Sequence, residues 1–221
     1  MKLLKGISAL IFLLAPTLWA APKPVTFFGQ AGFGLLVSKG DMNDYVLKVE
    51  DKNGVKGNLH PSTLSVLGST DFALGVNIKE ISLALNLQYW TSEQNLTAYP
   101  DQTLERDTRI MRLGVEFIYN IFWPEFFQAG LGAAASLVSI KTDDNLFYGA
   151  DTYDADFTGI GFGFIANIHY FITDHIAMVP ALKFYQNCFF DVDAKRIEDD
   201  AMNHDMWQTM ILVSLTAQYQ F

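Results

Sequence analysis

Five ionisable residues stand out by type and spacing: Asp71, Arg112, Glu116, His169 and Lys183. Each lies in a stretch where apolar and polar residues alternate, and each is on the polar side of that alternation. If the polar sides enclose a common interior, these groups can do one of two things. They can line a path for ions, or they can pair with one another as a plug, because a buried charge left single costs several kcal/mol. Arg112 and Glu116 are four residues apart on one strand face, about 13 Å at the usual rise, and cannot reach each other. Counting inward from the short turns described below predicts a meeting of Glu116 with Lys183 and of Arg112 with Asp71. Gln30, Asn86, Gln88 and Asn167 are their uncharged companions.

Other chemistry is thinner. His60-Pro61-Ser62 brings a histidine close to a serine, but no third residue can be named to orient the base, as nucleophilic catalysis requires. His175 and His204 have no such neighbour. The expected class is therefore non-enzymatic, with no cofactor. Carboxylates crowd two segments: Asp143, Asp144, Asp151, Asp154 and Asp156 in the first, and Asp191, Asp193, Glu198, Asp199, Asp200 and Asp205 in the second. Hard oxygen ligands suit Ca²⁺ or Mg²⁺, yet Asp143-Asp144-Asn145 lacks the spacing and the glycine of an EF-hand loop. A solvated acidic rim is the plainer reading. The formal charge of −9, from 15 basic and 24 acidic residues, excludes a basic groove for nucleic acid. Cys188 is the only cysteine, so no intrachain disulfide can form.

The elements that must position these residues are strands. Alternation predicts eight: Val25–Val37, Ser69–Ile78, Ile81–Thr91, Thr108–Tyr119, Phe127–Ile140, Phe157–Ile172, Ile176–Phe190 and Met206 to the end. The third is the cleanest, with Ile81, Leu83, Leu85, Leu87 and Tyr89 against Ser82, Ala84, Asn86 and Gln88. Connections alternate in length. Asn77–Glu80, Asn120–Phe126 and Thr173–His175 are short. Ser38–Gly68, Ser92–Asp107, Lys141–Asp156 and Asp191–Asp205 are long and polar. Within the first of these, Tyr45–Glu50 could extend a strand and offer an edge to a partner.

A soluble eight-stranded barrel would show the same period, since period alone does not say which face is inside. Side-chain types decide. The polar faces carry Gly130, Gly132, Gly159, Gly161, Gly163, Ser82, Ala84 and Asn86 rather than the Lys/Glu mix of a water-facing surface. Small and uncharged residues suit the crowded inside of a narrow barrel, which leaves the apolar faces outside, toward lipid. Each strand is long enough to cross, since roughly 9–11 tilted residues suffice. Trp90, Trp123, Tyr119, Tyr170, Phe171, Trp207 and Tyr219 fall near strand ends, where aromatic girdles are expected. At the front, Lys2 and Lys5, an apolar Gly6–Leu14 and Leu18-Trp19-Ala20 read as a signal peptide over residues 1–20, with the barrel domain over 21–221. Removing those two lysines takes the charge from −9 to −11.

The terminal strand carries a further likeness. Leu215, Ala217, Tyr219 and Phe221 alternate back from a C-terminal Phe, with an aromatic third from the end. This resembles the last strand of Gram-negative outer-membrane proteins. The whole mature chain resembles the small barrels of the OmpA-transmembrane, OmpX and OmpW type: all-β, eight-stranded, antiparallel, up-and-down and transmembrane. The resemblance implies an outer-membrane location with both termini periplasmic. It implies that Leu215, Ala217, Tyr219 and Phe221 are the signal read by the barrel-assembly machinery. It also implies contact with outer-membrane lipid or lipopolysaccharide, and a surface ligand or host partner for the long loops. The sharper alternative to a solvated rim, drawn from the clustered carboxylates themselves, is a divalent ion bridging the acidic loops to lipopolysaccharide phosphates. Two function classes follow: a structural and surface-interaction protein with a plugged lumen, or a passive OmpW-like channel for small or hydrophobic solutes. Trp90, Leu36, Val138 and Ile140, inward by parity, could form an apolar funnel for the second or simply pack under the loops.

Overall fold

The computed structural model describes residues 25–41, 47–50, 56–59, 67–97, 103–122, 127–145, 152–194 and 206–221, with side chains placed over 25–41, 68–91, 108–121, 128–141, 156–191 and 206–221. Residues 1–20, His60-Pro61-Ser62, Trp123 and His204 lie outside these. Ten strands occur among the described residues: β1 (Val25–Gly40), β2 (Leu47–Glu50), β3 (Lys56–Leu59), β4 (Leu67–Ile78), β5 (Ile81–Thr97), β6 (Thr103–Phe122), β7 (Phe127–Asn145), β8 (Thr152–Phe171), β9 (Ile176–Ala194) and β10 (Met206–Gln220).

Eight of them close into one antiparallel barrel in the order β1-β10-β9-β8-β7-β6-β5-β4. Each strand pairs with its neighbours in sequence, and β1 completes the ring by pairing with β4 on one side and β10 on the other. Closure leaves no edge, so every backbone N–H and C=O in the wall has a partner strand within reach. The β4–β5 turn is the tightest: Ile78 pairs with Ile81, and Lys79 takes the left-handed conformation (φ 54°) that a two-residue hairpin turn requires. At the β8–β9 turn the Thr173 hydroxyl accepts the His175 and Ile176 amides.

The distribution of side chains is the reverse of a water-soluble protein. Phe33, Leu74, Phe162 and Phe164 point outward and are 62–76% exposed, within a continuous apolar surface around the barrel. Asp71, Arg112, Glu116, His169 and Lys183 point inward and are at most 4% exposed. A surface of this kind is stable only against an apolar solvent, and the closed barrel is one of two folds that can present it to a bilayer. Among the described residues no helix is long and apolar enough to cross a membrane; the crossing elements are strands.

Three expectations need correction. Strands β5–β9 run well past the predicted ends; β6 starts at Thr103 rather than Thr108 and β7 continues to Asn145 rather than Ile140. The ladder continues as long as neighbours pair, whereas apolar alternation stops where lipid contact stops. Trp90 is not part of an outer girdle: it is lumenal and 2% exposed, while Tyr119, Trp207 and Tyr219 do face outward. The strand expected over Tyr45–Glu50 is the four-residue β2, and it pairs within its own loop, Leu47 opposite Leu59 and Glu50 opposite Lys56.

Candidate functional site

Two cationic side chains, Lys183 and Arg112, cross the lumen. Lys183 on β9 reaches over the bore, and its Nζ lies 3.0 Å from Asp71 Oδ2 on β4 and 2.9 Å from Glu116 Oε1 on β6. In the ring order β4 and β6 each stand three strands from β9, so the ammonium group ties opposite walls together. Asp71 is fully engaged: Oδ1 accepts from Asn86 Nδ2 (2.7 Å) and Oδ2 accepts from Ser214 Oγ (2.9 Å). The expected Glu116–Lys183 contact is present, and Asp71 joins it.

Arg112 does not pair with Asp71. Register explains why: Asp71 faces Gln88 on β5, and Gln88 faces Arg112 on β6, so a glutamine stands between them. Arg112 turns toward the loop end instead. It donates to Gln88 Oε1 and Asn187 Oδ1, each at 3.0 Å, and to Met210 Sδ at 3.2 Å. Its guanidinium lies 3.7 Å from the Tyr185 ring centroid, a close cation–π stack, and 5.9 Å from that of Trp90. Gln88 Nε2 donates to Tyr185 Oη at 3.1 Å, which closes the layer.

Glycines make room for it. Gly159, Gly161 and Gly163 on β8 face Phe189, Asn187 and Tyr185 on β9, pair by pair. A Cβ on Gly163 would fall 2.4 Å from Tyr185 Cδ1, and one on Gly161 2.4 Å from Asn187 Oδ1. The large β9 side chains lie flat on a wall that has no side chains. Above this layer Leu36, Trp90, Ile110, Val138, Ile140, Phe157, Phe189 and Met206 form a buried apolar cluster. The four residues expected to form a funnel are all in it, and each is at most 2% exposed.

Toward the turn end the lumen changes character. A relay runs from Asn120 Nδ2 to Ser82 Oγ, then from Ser82 Oγ to Asn77 Oδ1, then from Asn77 Nδ2 to Thr26 Oγ1. Gln30 Nε2 donates to Gln218 Oε1 at 2.6 Å. His169 is lumenal as predicted but stands apart from the charged layer. Its ring stacks on Phe171 at 6.2 Å, and neither ring nitrogen has a hydrogen-bond partner. Asn120 Oδ1, Asn167 Oδ1 and Gln218 Nε2 are likewise buried without one. Beside them Pro180 has no N–H to give, and the β8–β9 ladder is interrupted between Asn167↔Ala181 and Tyr170↔Met178.

At the same end, Leu215, Ala217, Tyr219 and Phe221 all face outward. Tyr219 is flanked by His175 (6.0 Å, stacked) and Phe221 (5.1 Å, edge-on). The strand end is tied to β1 by Phe221 N donating to Phe27 O, and to the β8–β9 turn by Gln220 N donating to His175 O. Tyr185, Asn187 and Ser214 are the site residues that sequence reasoning did not single out. The run Lys183, Tyr185, Asn187 on one face was the signal that could have found the first two.

Polar interior, apolar exterior and eight closed strands together decide the architecture. The fold is that of the small outer-membrane β-barrels. Ail, the attachment invasion locus protein of Yersinia pestis, solved with the heparin analogue sucrose octasulfate, matches with a TM-score of 0.55 at 10% identity, over 90% of this chain and 100% of that one. Neisserial surface protein A matches with a TM-score of 0.53 at 15% identity, over 90% and 100%. A major outer membrane protein of Thermus thermophilus matches with 0.51 at 11%, over the same shares. No protein-family pattern and no curated protein sequence matches the chain.

Proposed function

We propose that this protein is an integral outer-membrane barrel with a closed lumen, whose work is done on its surface rather than through its bore. The observation that carries the reading is Lys183, held between Asp71 and Glu116 across the barrel axis with the Arg112–Tyr185 stack directly above it. An eight-stranded barrel is only wide enough for its own side chains, and here charges fill the middle and apolar groups the loop-side half. In this reading both termini and the short turns are periplasmic and the long connections face outward from the cell. The outward row Leu215, Ala217, Tyr219 and Phe221 offers the assembly machinery an apolar face at the end of the last strand. The partners are the surrounding lipopolysaccharide and a surface ligand for the loops. The reading is non-enzymatic.

The test is conductance of the folded protein in a planar bilayer, alongside uptake of an apolar solute into vesicles. The closed reading expects no discrete openings and no uptake above that of empty vesicles. Openings whose size changes with K183M would replace it with the channel reading, and uptake without ion openings would do so for apolar solutes.

A further inference from the structure

One amide breaks the apolar outer wall. On β9 the outward residues Leu182 and Phe184 are followed, toward the loop end, by Gln186, Cys188 and Phe190. On β10 the outward Thr209 stands between Ile211 and Trp207. Every other Asn and Gln whose side chain is placed lies on the lumenal parity of its strand. Gln186 and Thr209 face each other directly in the ladder, and Thr209 Oγ1 donates to Gln186 Oε1 at 2.8 Å. That is the one hydrogen bond Gln186 makes among the described residues, so its Nε2 has no acceptor within this chain. The side chain is half-exposed at the outer surface, beneath Trp207 and Phe190 and therefore at the level of lipid. An amide N–H without an acceptor is costly in hydrocarbon, where no water can supply one.

The missing acceptor must arrive in the plane of the membrane, on a surface that is otherwise apolar. Acyl chains carry none. A second Gln186 does, because a primary amide has both donors and an acceptor, and Oε1 keeps one lone pair after Thr209 has used the other. A two-fold axis along the membrane normal sets a residue on that axis against its own copy, so each Nε2 can donate to the other Oε1. The surroundings suit such a contact. Phe184, Trp207 and Ile211 supply apolar packing, and no charged side chain stands on the outer faces of β9 from Ile176 to Phe190 or of β10 from Trp207 to Tyr219. We propose that the outer face of β9 and β10, centred on Gln186, docks a second copy of this chain through reciprocal amide hydrogen bonds. The contact depends on insertion into a membrane, and on neither the state of the lumen nor the ligand of the loops.

The test is sedimentation equilibrium of the folded full chain in density-matched detergent micelles. The unaltered protein should form a reversible dimer. Q186L keeps the outward side chain apolar and removes both donors and the acceptor. It should dimerise about 5- to 30-fold more weakly, the loss expected for polar contacts between membrane-embedded surfaces. A monomer at every concentration overturns the proposal, and so does a Q186L protein that dimerises as the unaltered one does. Should Q186L fail to fold, as read by its heat-mobility shift, Q186M takes its place under the same criterion. A second measurement fixes the face. Cys188 lies one outward step from Gln186, while Leu85 is outward on β5, four strands away in the ring. In membranes, a short bifunctional maleimide should join two copies of the unaltered protein through Cys188. It should join few copies of the L85C/C188S protein. Cross-linking no greater in the first than in the second overturns the assignment to β9 and β10.

Discussion

The two ends of the lumen solve the same problem by different means. From Lys183 toward the loops, charged groups are paired and stacked and the rest is apolar packing; among the described residues only Trp90 Nε1 and Arg112 Nε lack an acceptor there. Toward the turns the interior is uncharged but polar, and five side-chain atoms, on Asn120, Asn167, His169 and Gln218, are buried without a partner. The β8–β9 ladder is interrupted at Pro180 in this same half. A buried charge that loses its partner costs more than a buried neutral group that does, so the charged layer has more to lose than the turn-side half. The difference teaches that polar is not one category inside a barrel. The charges are held by one another and by an aromatic face, whereas the uncharged half is held by hydrogen bonds among amides and hydroxyls.

The sharpest way to break this comparison is to remove the ammonium group. K183M leaves Asp71 and Glu116 buried without their cation and should cost about 3–5 kcal/mol, read as the urea midpoint of the heat-mobility shift in detergent. Adding D71N and E116Q to K183M should recover most of that loss. A triple variant no more stable than K183M would mean that shape, not charge, holds the layer.

Next in size is the glycine wall. G163A drives a Cβ to 2.4 Å from Tyr185 Cδ1 and should displace the ring that Arg112 stacks on. Overpacking of this kind costs about 1–3 kcal/mol. Near-ultraviolet circular dichroism should report the moved tyrosine, and an unchanged spectrum with unchanged stability would argue that β9 shifts freely.

The turn-side half predicts a smaller effect. H169L removes a neutral ring rather than one partner of a buried ion pair, so it should change stability by no more than about 1 kcal/mol. A loss comparable with that of K183M would erase the distinction between the halves. The smallest effect is expected outside the membrane belt. D143K, two residues beyond Lys141 on β7, should change stability by no more than about 0.5 kcal/mol, whereas E116K should cost several times that. Equal midpoints for these two reversals would count against the plug.

Much of this was legible in the chain. The alternation of Ile81, Leu83, Leu85 and Leu87 with Ser82, Ala84 and Asn86 follows from the pleat, which sends successive side chains to opposite faces whatever the rest of the molecule does. Short and long connections then fix an up-and-down order, and small residues on the polar face fix which side is inside. For the same reason Asp71, Arg112, Glu116, His169 and Lys183 could be placed in the lumen from parity alone. What the sequence could not give was distance around the ring. Counting along strands estimates height, but the partner of Arg112 depends on which strand stands beside it, on the register of Gln88 and on the tilt that carries Lys183 across the bore. Strand length escaped for a related reason: alternation records contact with lipid, and the ladders of β5–β9 continue into water, where nothing requires an apolar face. The sequence by itself determined the fold and the facing of each side chain, because those are local consequences of the strand. Only the closed tertiary structure decided which charges meet, because pairing is a property of the ring.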